Sequence, residues 1–382
     1  MGRPKIRFEG YSEDWEQRKL PEFVSFFNGL TYTPDDVEET GTLVLRSSNV
    51  KNGEIVDADN VYVNDKVVTS ENVQKGDIIV VVRNGSRALI GKHAQIKASM
   101  PNTVIGAFMS GMRSEHSSFV NALLDTSAFE NEIAKNMGAT INQITGYMFS
   151  KMEFMIPSGE EQQKIGEYFQ SLDHLITLHQ RKYDETKTLK KYMLQKMFPQ
   201  NGEKVPEIRF DGFTEDWEQR KLGNITVKIG SGKTPSGGKS AYVETGIPLI
   251  RSQNVNGDKV DFADIVFVDE TTDESMANSR VYTNDVLLNI TGASIGRSAV
   301  YKGLESANVN QHVCIIRPTE GYQPDFIQLN LSSDNGQKQI DASQAGGGRE
   351  GLNFQEIGKM QFCFPSLNEQ KCIGRYFNSL DH

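Results

Sequence analysis

Cysteines and long apolar stretches are scarce in this sequence. The 382 residues include three cysteines, Cys314, Cys363 and Cys372, which are too few and too scattered for a disulfide framework or a C-x-x-C metal site. We expect them to be reduced, buried thiols. No stretch approaches the roughly 18 consecutive apolar residues of a membrane-spanning helix, and residues 1–20 lack the apolar region of a signal peptide. The sequence therefore predicts a cytoplasmic protein that does not associate with a membrane.

An excess of positive charge is also missing. The formal net charge is −9, and residues 21–156 and 222–364 each carry roughly −4 to −5. Proteins that bind nucleic acid on their own normally have an excess of lysine and arginine, because these side chains neutralise phosphates and release counterions. Any affinity for DNA must therefore come from local basic patches or be shared with a basic partner.

Catalytic and metal-binding motifs are missing as well. The triplets that begin at Gly232 and Gly238 resemble the end of a phosphate-binding loop, but the glycine required five residues earlier is Val227 in one case and Lys233 in the other. The chain has no Pro-Pro pair, which excludes an Asn-Pro-Pro-Tyr methyltransferase motif, and its six histidines show no triad or ligand spacing. We therefore predict a binding protein with no catalytic residues, no metal site and no cofactor of its own.

What the sequence does contain is a long internal repeat. A phrase at residues 6–20 (IRFEGYSEDWEQRKL) returns at residues 208–222 (IRFDGFTEDWEQRKL), and each difference between the copies keeps size or charge. Residues 154–174 are echoed by residues 362–382, which share a Pro-Ser start, a Glu-Gln pair and the ending Ser-Leu-Asp-His. Weaker matches follow the same order between these ends. The chain is therefore predicted to contain two similar units with constant ends and divergent middles.

The divergent middles combine short strands with helices. Residues 77–82, 285–290 and 313–317 are rich in β-branched or aliphatic residues and bounded by Gly, Asn or Pro, as buried strands are. Residues 119–135 and 325–340 are predicted to be helical, each following a strand. Each unit is therefore expected to be an α/β domain of mixed α+β type.

A long connecting helix is predicted between the two units. Residues 159–198 contain no proline and, after Gly166, no glycine, and Ser158 with Glu161 forms a capping-box pattern. Steps of three and four separate the apolar positions, a heptad-like spacing that predicts a packing stripe. A helix of this length would extend on the order of 55 to 60 Å at 1.5 Å per residue. The expected packing residues on this helix and its repeat are Ile165, Phe169, Leu172, Ile176, Tyr183, Leu189, Met193, Ile373, Phe377 and Leu380.

The stripe requires a partner, and the repeated segment after Pro365 supplies one. Two such helices, each emerging from its own domain, would pack antiparallel. A connecting helix that packs only on its own domains is the alternative. The Glu-Gln pair in each repeat is expected to be a solvated pair at a helix start. The predicted segments are a first domain at 1–157, a connecting helix at 158–198, a second domain at 199–364 and the start of a second helix at 365–382.

Polar loops follow the predicted strands at matching places in both units. Arginine and asparagine carry forked hydrogen-bonding groups that pair with guanine and adenine edges, and serine or threonine can contact either. The loop at residues 230–239 has two lysines and many glycine N–H groups, which suits phosphate contact. Such runs are also typical of ordinary turns, but their recurrence in both units favours binding. The candidate DNA-binding residues are Thr31, Tyr32, Thr33, Arg46, Ser47, Asn49, Arg83, Asn84, Ser86, Arg87, Lys92, Lys233, Thr234, Ser236, Lys239, Arg251, Gln253, Asn254, Asn289, Thr291, Ser294, Arg297 and Arg349.

In this order and in duplicate, the motifs resemble the specificity subunit of type I restriction-modification systems. The resemblance is carried by the Trp-Glu-Gln-Arg-Lys-Leu phrases at Trp15 and Trp217, the Lys-Thr-Pro loop at Lys233, the Ile-Arg-Ser-Gln-Asn-Val segment at Ile250 and the Asn-Gln-His triplet at Asn310. The two Pro-Ser-x-x-Glu-Gln helix starts complete the pattern. The resemblance covers essentially the whole chain.

This resemblance implies a fold and a set of partners. Two target-recognition domains, related by a pseudo-two-fold internal repeat and separated by long antiparallel coiled-coil-like helices, would each read one half of a bipartite double-stranded DNA target. Two methyltransferase (modification) subunits, which carry S-adenosylmethionine and methylate adenine, would dock on the helices. Two restriction subunits that use ATP and Mg²⁺ can join them. The chain itself would be a non-catalytic subunit of the complex.

The sequence departs from the family pattern in two places. The first unit has Gly-Leu-Thr-Tyr-Thr-Pro at residues 29–34 where the second has Gly-Ser-Gly-Lys-Thr-Pro at residues 230–235, so we expect the units to read different sequences. The second helix segment also ends at His382, earlier than in the family. Two other functions compete with DNA specificity: a stand-alone DNA-modifying enzyme, which the missing methyltransferase motif opposes, and a scaffold that spaces two protein partners without DNA readout.

Overall fold

Strands and helices are mixed along the chain, as the sequence predicts for an α/β fold. The computed structural model describes residues 4–137, 142–200, 203–344 and 351–381. The chain divides into unit 1, residues 1–180, and unit 2, residues 181–382, with the division inside the connecting helix. Within the described residues, each unit has two four-stranded sheets, a two-stranded sheet formed by its repeated ends, and a small hairpin.

The described residues of unit 1 form twelve strands and helices that lie between and after them. The strands are β1 (Glu16–Lys19), β2 (Ser25–Asn28), β3 (Val37–Glu38), β4 (Thr42–Leu45), β5 (Val50–Lys51), β6 (Glu54–Ile55), β7 (Val61–Val63), β8 (Ile78–Val81), β9 (His93–Gln95), β10 (Thr103–Ile105), β11 (Met109–Arg113) and β12 (Glu153–Ile156). The helices are α1 (Ser117–Leu124), α2 (Ser127–Asn136), α3 (Gly146–Phe149) and α4 (Gly159–Lys196), the last of which continues into unit 2.

The two larger sheets of unit 1 pack against each other and against helices. One sheet has the order β2-β11-β8-β9 and is antiparallel throughout, and the other has the order β10-β4-β7-β3 with a parallel β4–β10 pair. Strand β8 is buried on both faces: Ile79 and Val81 contact the core between the sheets, while Ile78 and Val80 contact the core under α1 and α2. Because both faces are covered, the strand is continuously apolar rather than alternating, which confirms the prediction for residues 77–82.

Unit 2 repeats this arrangement. Its strands are β13 (Glu218–Lys221), β14 (Thr226–Ser231), β15 (Ile247–Ile250), β16 (Val255–Asn256), β17 (Lys259–Val260), β18 (Val266–Val268), β19 (Arg280–Val281), β20 (Val286–Asn289), β21 (Ser298–Val300), β22 (Ala307–Val309), β23 (Val313–Pro318) and β24 (Gln361–Phe364). Its further helices are α5 (Glu270–Ser275), α6 (Pro324–Ser332), α7 (Asp334–Gln344), α8 (Phe354–Lys359) and α9 (Leu367–Leu380). The sheet order β14-β23-β20-β21 matches that of unit 1. The order β18-β15-β22-β19 shares three strands with unit 1, but its fourth strand, β19, lies beside β22, whereas β3 lies beside β7 on the opposite edge.

The repeated phrase has the same structure in both copies. Strand β1 pairs antiparallel with β12, with Glu16 opposite Ile156, and β13 pairs with β24 in the same register, with Glu218 opposite Phe364. Leu20 and Leu222, which end the two phrases, are fully buried. The phrase therefore closes each unit by joining its beginning to its end.

A buried ion pair fastens each phrase to a helix start. Arg7 donates through Nε and Nη2 to the two carboxylate oxygens of Glu161, both at 2.7 Å, and Arg209 makes the equivalent contacts with Glu369 at 2.7 and 2.8 Å. The side chains of Glu161 and Glu369 are 0% and 1% exposed. The prediction of solvated Glu-Gln pairs was therefore wrong, since the two glutamates bind arginines that lie 154 and 160 residues away in sequence. At the start of α9 the hydroxyl of Ser366 also accepts a hydrogen bond from the N–H of Glu369.

The two helical segments predicted after the strands are each interrupted once. Residues 119–135 form α1 and α2, and residues 325–340 form α6 and α7. Thr126 caps α2 by accepting a hydrogen bond from the N–H of Phe129, and the Ser333 hydroxyl at the start of α7 accepts one from the N–H of Gly336. A hydroxyl that bonds the backbone ends one helix and begins the next.

Helix α4 confirms the predicted connecting helix but leaves much of its apolar stripe exposed. In the part that belongs to unit 1, Ile165 and Leu172 are half-buried, whereas Phe169 and Ile176 are exposed. In the part that belongs to unit 2, Met193 is half-buried. Tyr183 and Leu189 are exposed in this part.

The second helix packs on unit 2 in the orientation expected. Lys190 near the end of α4 bonds Asp381 at 2.8 Å, and Phe198 just beyond α4 packs on Phe377. The order of these contacts makes the two segments antiparallel. Ile373 and Phe377 are buried in the core of unit 2, and Leu380 is half-buried against it.

The thiols and the helices bear on two further predictions. Cys314 is buried, but Cys363 and Cys372 are only half-buried, so the expectation of three buried thiols was wrong for two of them. Among the described residues, no helix combines the length and apolar character needed to cross a lipid bilayer.

Candidate nucleic-acid interface

The polar loops of unit 1 meet at one end of its sheets. These are the loops that follow β2, β4 and β8 and the short turn between β10 and β11. The opposite end of β8 is fixed by Arg113, whose guanidinium binds both carboxylate oxygens of Asp77 at 2.8 and 2.9 Å; this pairing raises the pKa of Arg113. Backbone hydrogen bonds join the loops: Leu30 N–H to Ile105 O at 2.7 Å, Gly106 N–H to Leu45 O at 2.9 Å, and Val82 N–H to Phe108 O at 2.9 Å.

The loops of unit 2 are joined by the same set of bonds. Arg317 fixes the far end of β20 by binding Asp285, at 2.8 and 2.7 Å, and its pKa is raised by that carboxylate. The equivalent backbone bonds are Lys233 N–H to Val309 O at 3.3 Å, Asn310 N–H to Ile250 O at 3.1 Å, and Ile290 N–H to His312 O at 3.0 Å. These equivalent bonds align the loop residues of unit 1 with those of unit 2, one by one.

This register identifies matched positions in the two loop clusters. It pairs Thr31 with Thr234, Arg83 with Thr291, Ala107 with Gln311 and Phe108 with His312. Where the units differ at these positions, the side chains differ while the backbone hydrogen bonds are equivalent.

Two matched glycines allow the loops to approach the neighbouring strand. A Cβ atom on Gly29 would lie 2.0 Å from the carbonyl oxygen of Gly106, and one on Gly232 would lie 1.7 Å from that of Val309. Real Cβ atoms essentially never come so close. Glycine is therefore required at the start of each loop because of this backbone contact.

Three of the candidate residues are buried and position the loops. Asn49, Asn254 and Asn289 are 0%, 2% and 0% exposed. Asn49 donates to the carbonyl oxygen of Ala58 at 2.7 Å, and Asn254 donates to that of Asp261 at 3.0 Å. Asn289 donates to Ser252 O at 2.8 Å and so joins two loops. These amides are not placed to contact DNA, contrary to the expectation from their base-pairing chemistry.

Other candidates are occupied by nearby carboxylates. Arg46 donates to Asp59, at 2.5 Å to its carboxylate, and Arg251 lies 3.7 Å from the carboxylate of Asp264. Gln253 also donates to Asp264, at 2.7 Å. These contacts stabilise the turn after β4 in unit 1 and the turn after β15 in unit 2. Ser47 has a related role, because its hydroxyl accepts a bond from Asn84 at 3.1 Å and joins the loops after β4 and β8.

The remaining candidates lie on accessible loops. Among the described residues, no carboxylate forms an ion pair with the exposed cations at these sites, which are Arg83, Arg87, Lys92, Lys233, Lys239 and Arg297. Thr31, Thr33, Ser86 and Ser236 are exposed, and Tyr32, Thr291 and Ser294 are half-buried. Thr33 bonds the carboxylate of Asp36. Arg349 lies outside the described residues. As far as the structure describes the chain, the loop ends thus carry positive charge that no carboxylate pairs with.

Three side chains at this end of the units were missed among the candidates. Phe108 is 55% exposed and lies under the guanidinium of Arg83, with 5.0 Å between Cζ and the ring centroid. In unit 2, Gln311 bonds both Thr234 and His312. The Asn-Gln-His triplet was a sequence signal for the last two, but an isolated phenylalanine between two strands gave none.

Two units of one topology, each with a cluster of polar loops at one end of its sheets, define a protein with two related recognition domains. The chain belongs to the type I restriction modification DNA specificity domain family, whose model matches residues 12–188 and again residues 214–382. It therefore contains two DNA specificity domains, and the resemblance inferred from the repeated motifs is confirmed.

Similar proteins agree with this assignment. The type I restriction enzyme EcoKI specificity subunit of Escherichia coli (strain K12) is 22% identical over 386 residues, which cover 96% of this chain and 82% of that protein. The EcoBI specificity subunit of Escherichia coli is 30% identical over 172 residues, 44% of this chain and 35% of that protein. The crystal structure of a type I restriction-modification S subunit from M. genitalium has the same fold, with a TM-score of 0.68 at 16% identity over 99% of this chain and 92% of that one.

Proposed function

We propose that this chain is the non-catalytic subunit that gives a type I restriction-modification complex its DNA sequence specificity. Unit 1 would read one half of a bipartite duplex target and unit 2 the other half. Adenine methylation would be performed by two methyltransferase subunits that carry S-adenosylmethionine, and two restriction subunits that use ATP and Mg²⁺ can join them. The chain itself contributes recognition.

This proposal rests on one observation: the two loop clusters have equivalent backbone hydrogen bonds but different side chains at matched positions. The same three inter-loop hydrogen bonds occur in both units. Nevertheless Arg83 is matched by Thr291 and Phe108 by His312. Recognition of two different half-sites requires this combination, because the scaffold must present its loops alike while base readout depends on the side chains at their ends.

The charge distribution fits DNA bound with help from a partner. The exposed cations of the loops are available for phosphates, whereas other arginines are neutralised locally, as Arg113 is by Asp77. The net charge of −9 still opposes tight binding by the chain alone. We therefore expect basic surfaces of the methyltransferase subunits to complete the enclosure of the duplex.

Helix α4 suits the roles of spacer and docking surface. It continues for 38 residues from Gly159 to Lys196 without a proline. Aromatic and aliphatic side chains on it are exposed, among them Phe169, Ile176 and Tyr183. We propose that its length sets the unread gap between half-sites and that this exposed apolar surface receives the methyltransferase subunits.

The proposal is tested by DNA selection with the full chain bound to its methyltransferase partner. A library of duplexes with two randomised half-sites and a randomised gap should yield a bipartite consensus with one gap length. A complex that binds all duplexes with equal affinity would contradict the specificity function and favour a scaffold. Methyl transfer by the purified chain alone would instead support the stand-alone enzyme.

A further inference from the structure

The end of the central strand carries a different side-chain pair in each unit. Val82 in unit 1 and Ile290 in unit 2 make the same backbone bond to the turn that precedes the neighbouring strand. The next residue is Arg83 in unit 1 and Thr291 in unit 2, and each contacts the side chain of the residue that accepts this bond. A residue that follows one strand and a residue that precedes the neighbouring strand therefore form one contact pair in each unit.

In unit 1 this pair consists of a cation on an aromatic ring. Arg83 lies over the ring of Phe108, which is 55% exposed. Stacking of this kind orients a guanidinium while leaving its edge free to donate hydrogen bonds. Among the described residues no carboxylate neutralises Arg83, and its forked donors match the O6 and N7 atoms of guanine.

In unit 2 the pair consists of neutral polar groups in a hydrogen-bonded chain. The hydroxyl of Thr291 bonds Nδ1 of His312, and Nε2 of His312 lies 2.9 Å from the amide nitrogen of Gln311. The amide oxygen of Gln311 in turn accepts from the hydroxyl of Thr234. These contacts fix amide and imidazole groups at the place where unit 1 presents its guanidinium.

We propose that these matched pairs determine the two half-sites: Arg83 with Phe108 selects a guanine in the half-site of unit 1, and Thr291 with His312 sets a base preference in the half-site of unit 2. In this arrangement Arg83 contacts the base, and Phe108 is a positioning residue. The inference rests on the proposed function, because it assigns readout to particular side chains of the recognition units.

The test uses two conservative variants of the full chain, each bound to its methyltransferase partner. R83K keeps the charge but removes the fork, and T291V keeps the shape but removes the hydroxyl. Both should be selected against the library with randomised half-sites. R83K should weaken the preference for guanine at one position of one half-site by roughly tenfold or more, and leave the other half-site unchanged. T291V should alter the other half-site alone.

Matched controls are available in the repeated phrase. Arg18 and Arg220 are exposed arginines at equivalent positions of β1 and β13, each paired with a neighbouring glutamate. R18K and R220K should retain the wild-type consensus in both half-sites. F108L adds a second measure of unit 1, since loss of the ring should reduce the same guanine preference that R83K reduces.

The outcomes separate this inference from the function on which it rests. If the wild-type complex selects a bipartite consensus and R83K and T291V select the same one, the assignment of these pairs is overturned while the proposed function stands. A loss of affinity that is equal for all sequences would also overturn it, because it indicates phosphate contact. A wild-type complex that selects no bipartite consensus overturns both.

Discussion

Replacing Gly232 by alanine should displace the first recognition loop of unit 2. The added Cβ would lie 1.7 Å from the carbonyl oxygen of Val309. Ordinary contact begins at 3.4 Å, so the backbones must separate by the difference of about 1.7 Å. The bond from Lys233 N–H to Val309 O, already 3.3 Å long, would not survive such a shift.

The cost of this substitution is that of forcing a group into a packed site, about 1 to 3 kcal/mol. For a unit of this size, that corresponds to a fall of about 2 to 12 °C in the midpoint of thermal unfolding. The sharper expectation concerns DNA, since the displaced loop begins with Lys233 and Thr234. G232A should reduce selection of one half-site and leave the other unchanged.

The assay combines thermal unfolding with selection from the bipartite library. G230A is the matched control, because Gly230 lies in β14, two residues before Gly232, and a Cβ there would meet nothing within 4 Å. G29A in unit 1 should repeat the effect on the opposite half-site, since its Cβ would lie 2.0 Å from Gly106 O. If G232A melts and selects DNA as G230A does, the reasoning from this close approach is refuted.

Three further predictions concern the connecting helix, a thiol and an acid-sensitive contact. Inserting four residues near the exposed Lys187 extends α4 by about 6 Å, which is close to two base-pair steps. The gap preferred in the library selection should therefore lengthen by about one or two base pairs. An unchanged gap refutes the spacer role. Burial raises the pKa of the Cys314 thiol to about 12. Iodoacetamide at pH 8 should therefore modify the half-buried Cys372 in the native protein and leave Cys314 unmodified, as measured by mass spectrometry. Alkylation of Cys314 before the protein is unfolded would contradict this prediction. Hydrogen bonds from Arg280 lower the pKa of Asp273, so the stability that this contact contributes is present above the ordinary pKa of about 4 and is lost as the pH falls through the lowered pKa. The urea midpoints of the wild type and of D273N should therefore differ less at about pH 3 than at about pH 5. A difference that stays constant with pH would contradict this sign.

The parts of the fold that the sequence predicts well depend on local pattern or on repetition. Residues 78–82 are continuously apolar because both faces of β8 are covered, and the long proline-free segment after Pro157 forms α4. The contacts that escaped prediction are long-range. Glu161 looks like a helix-start residue exposed to water, and only the fold brings Arg7 to its carboxylate.

The candidate site shows where base-pairing chemistry misleads as a guide. Asn49 and Asn254 occur at matching places in both units, which first favoured a role in DNA contact. Their burial and their bonds to nearby carbonyls show that they form the same local turn in each unit. Residues that the two units share therefore build the loops. Phe108 could not be found by this rule or by motif, because its importance depends on the position of Arg83 across a strand pair.

The most direct test of the account is methylome sequencing of a host that carries this chain with its modification partner, compared with the same host without the chain. We predict one chain-dependent methylated motif composed of two different half-sites, each containing a methylated adenine on one strand, with an unread gap of constant length. A continuous motif, a gap of variable length, or no motif that depends on the chain would contradict the claim that each unit reads one half of a bipartite target.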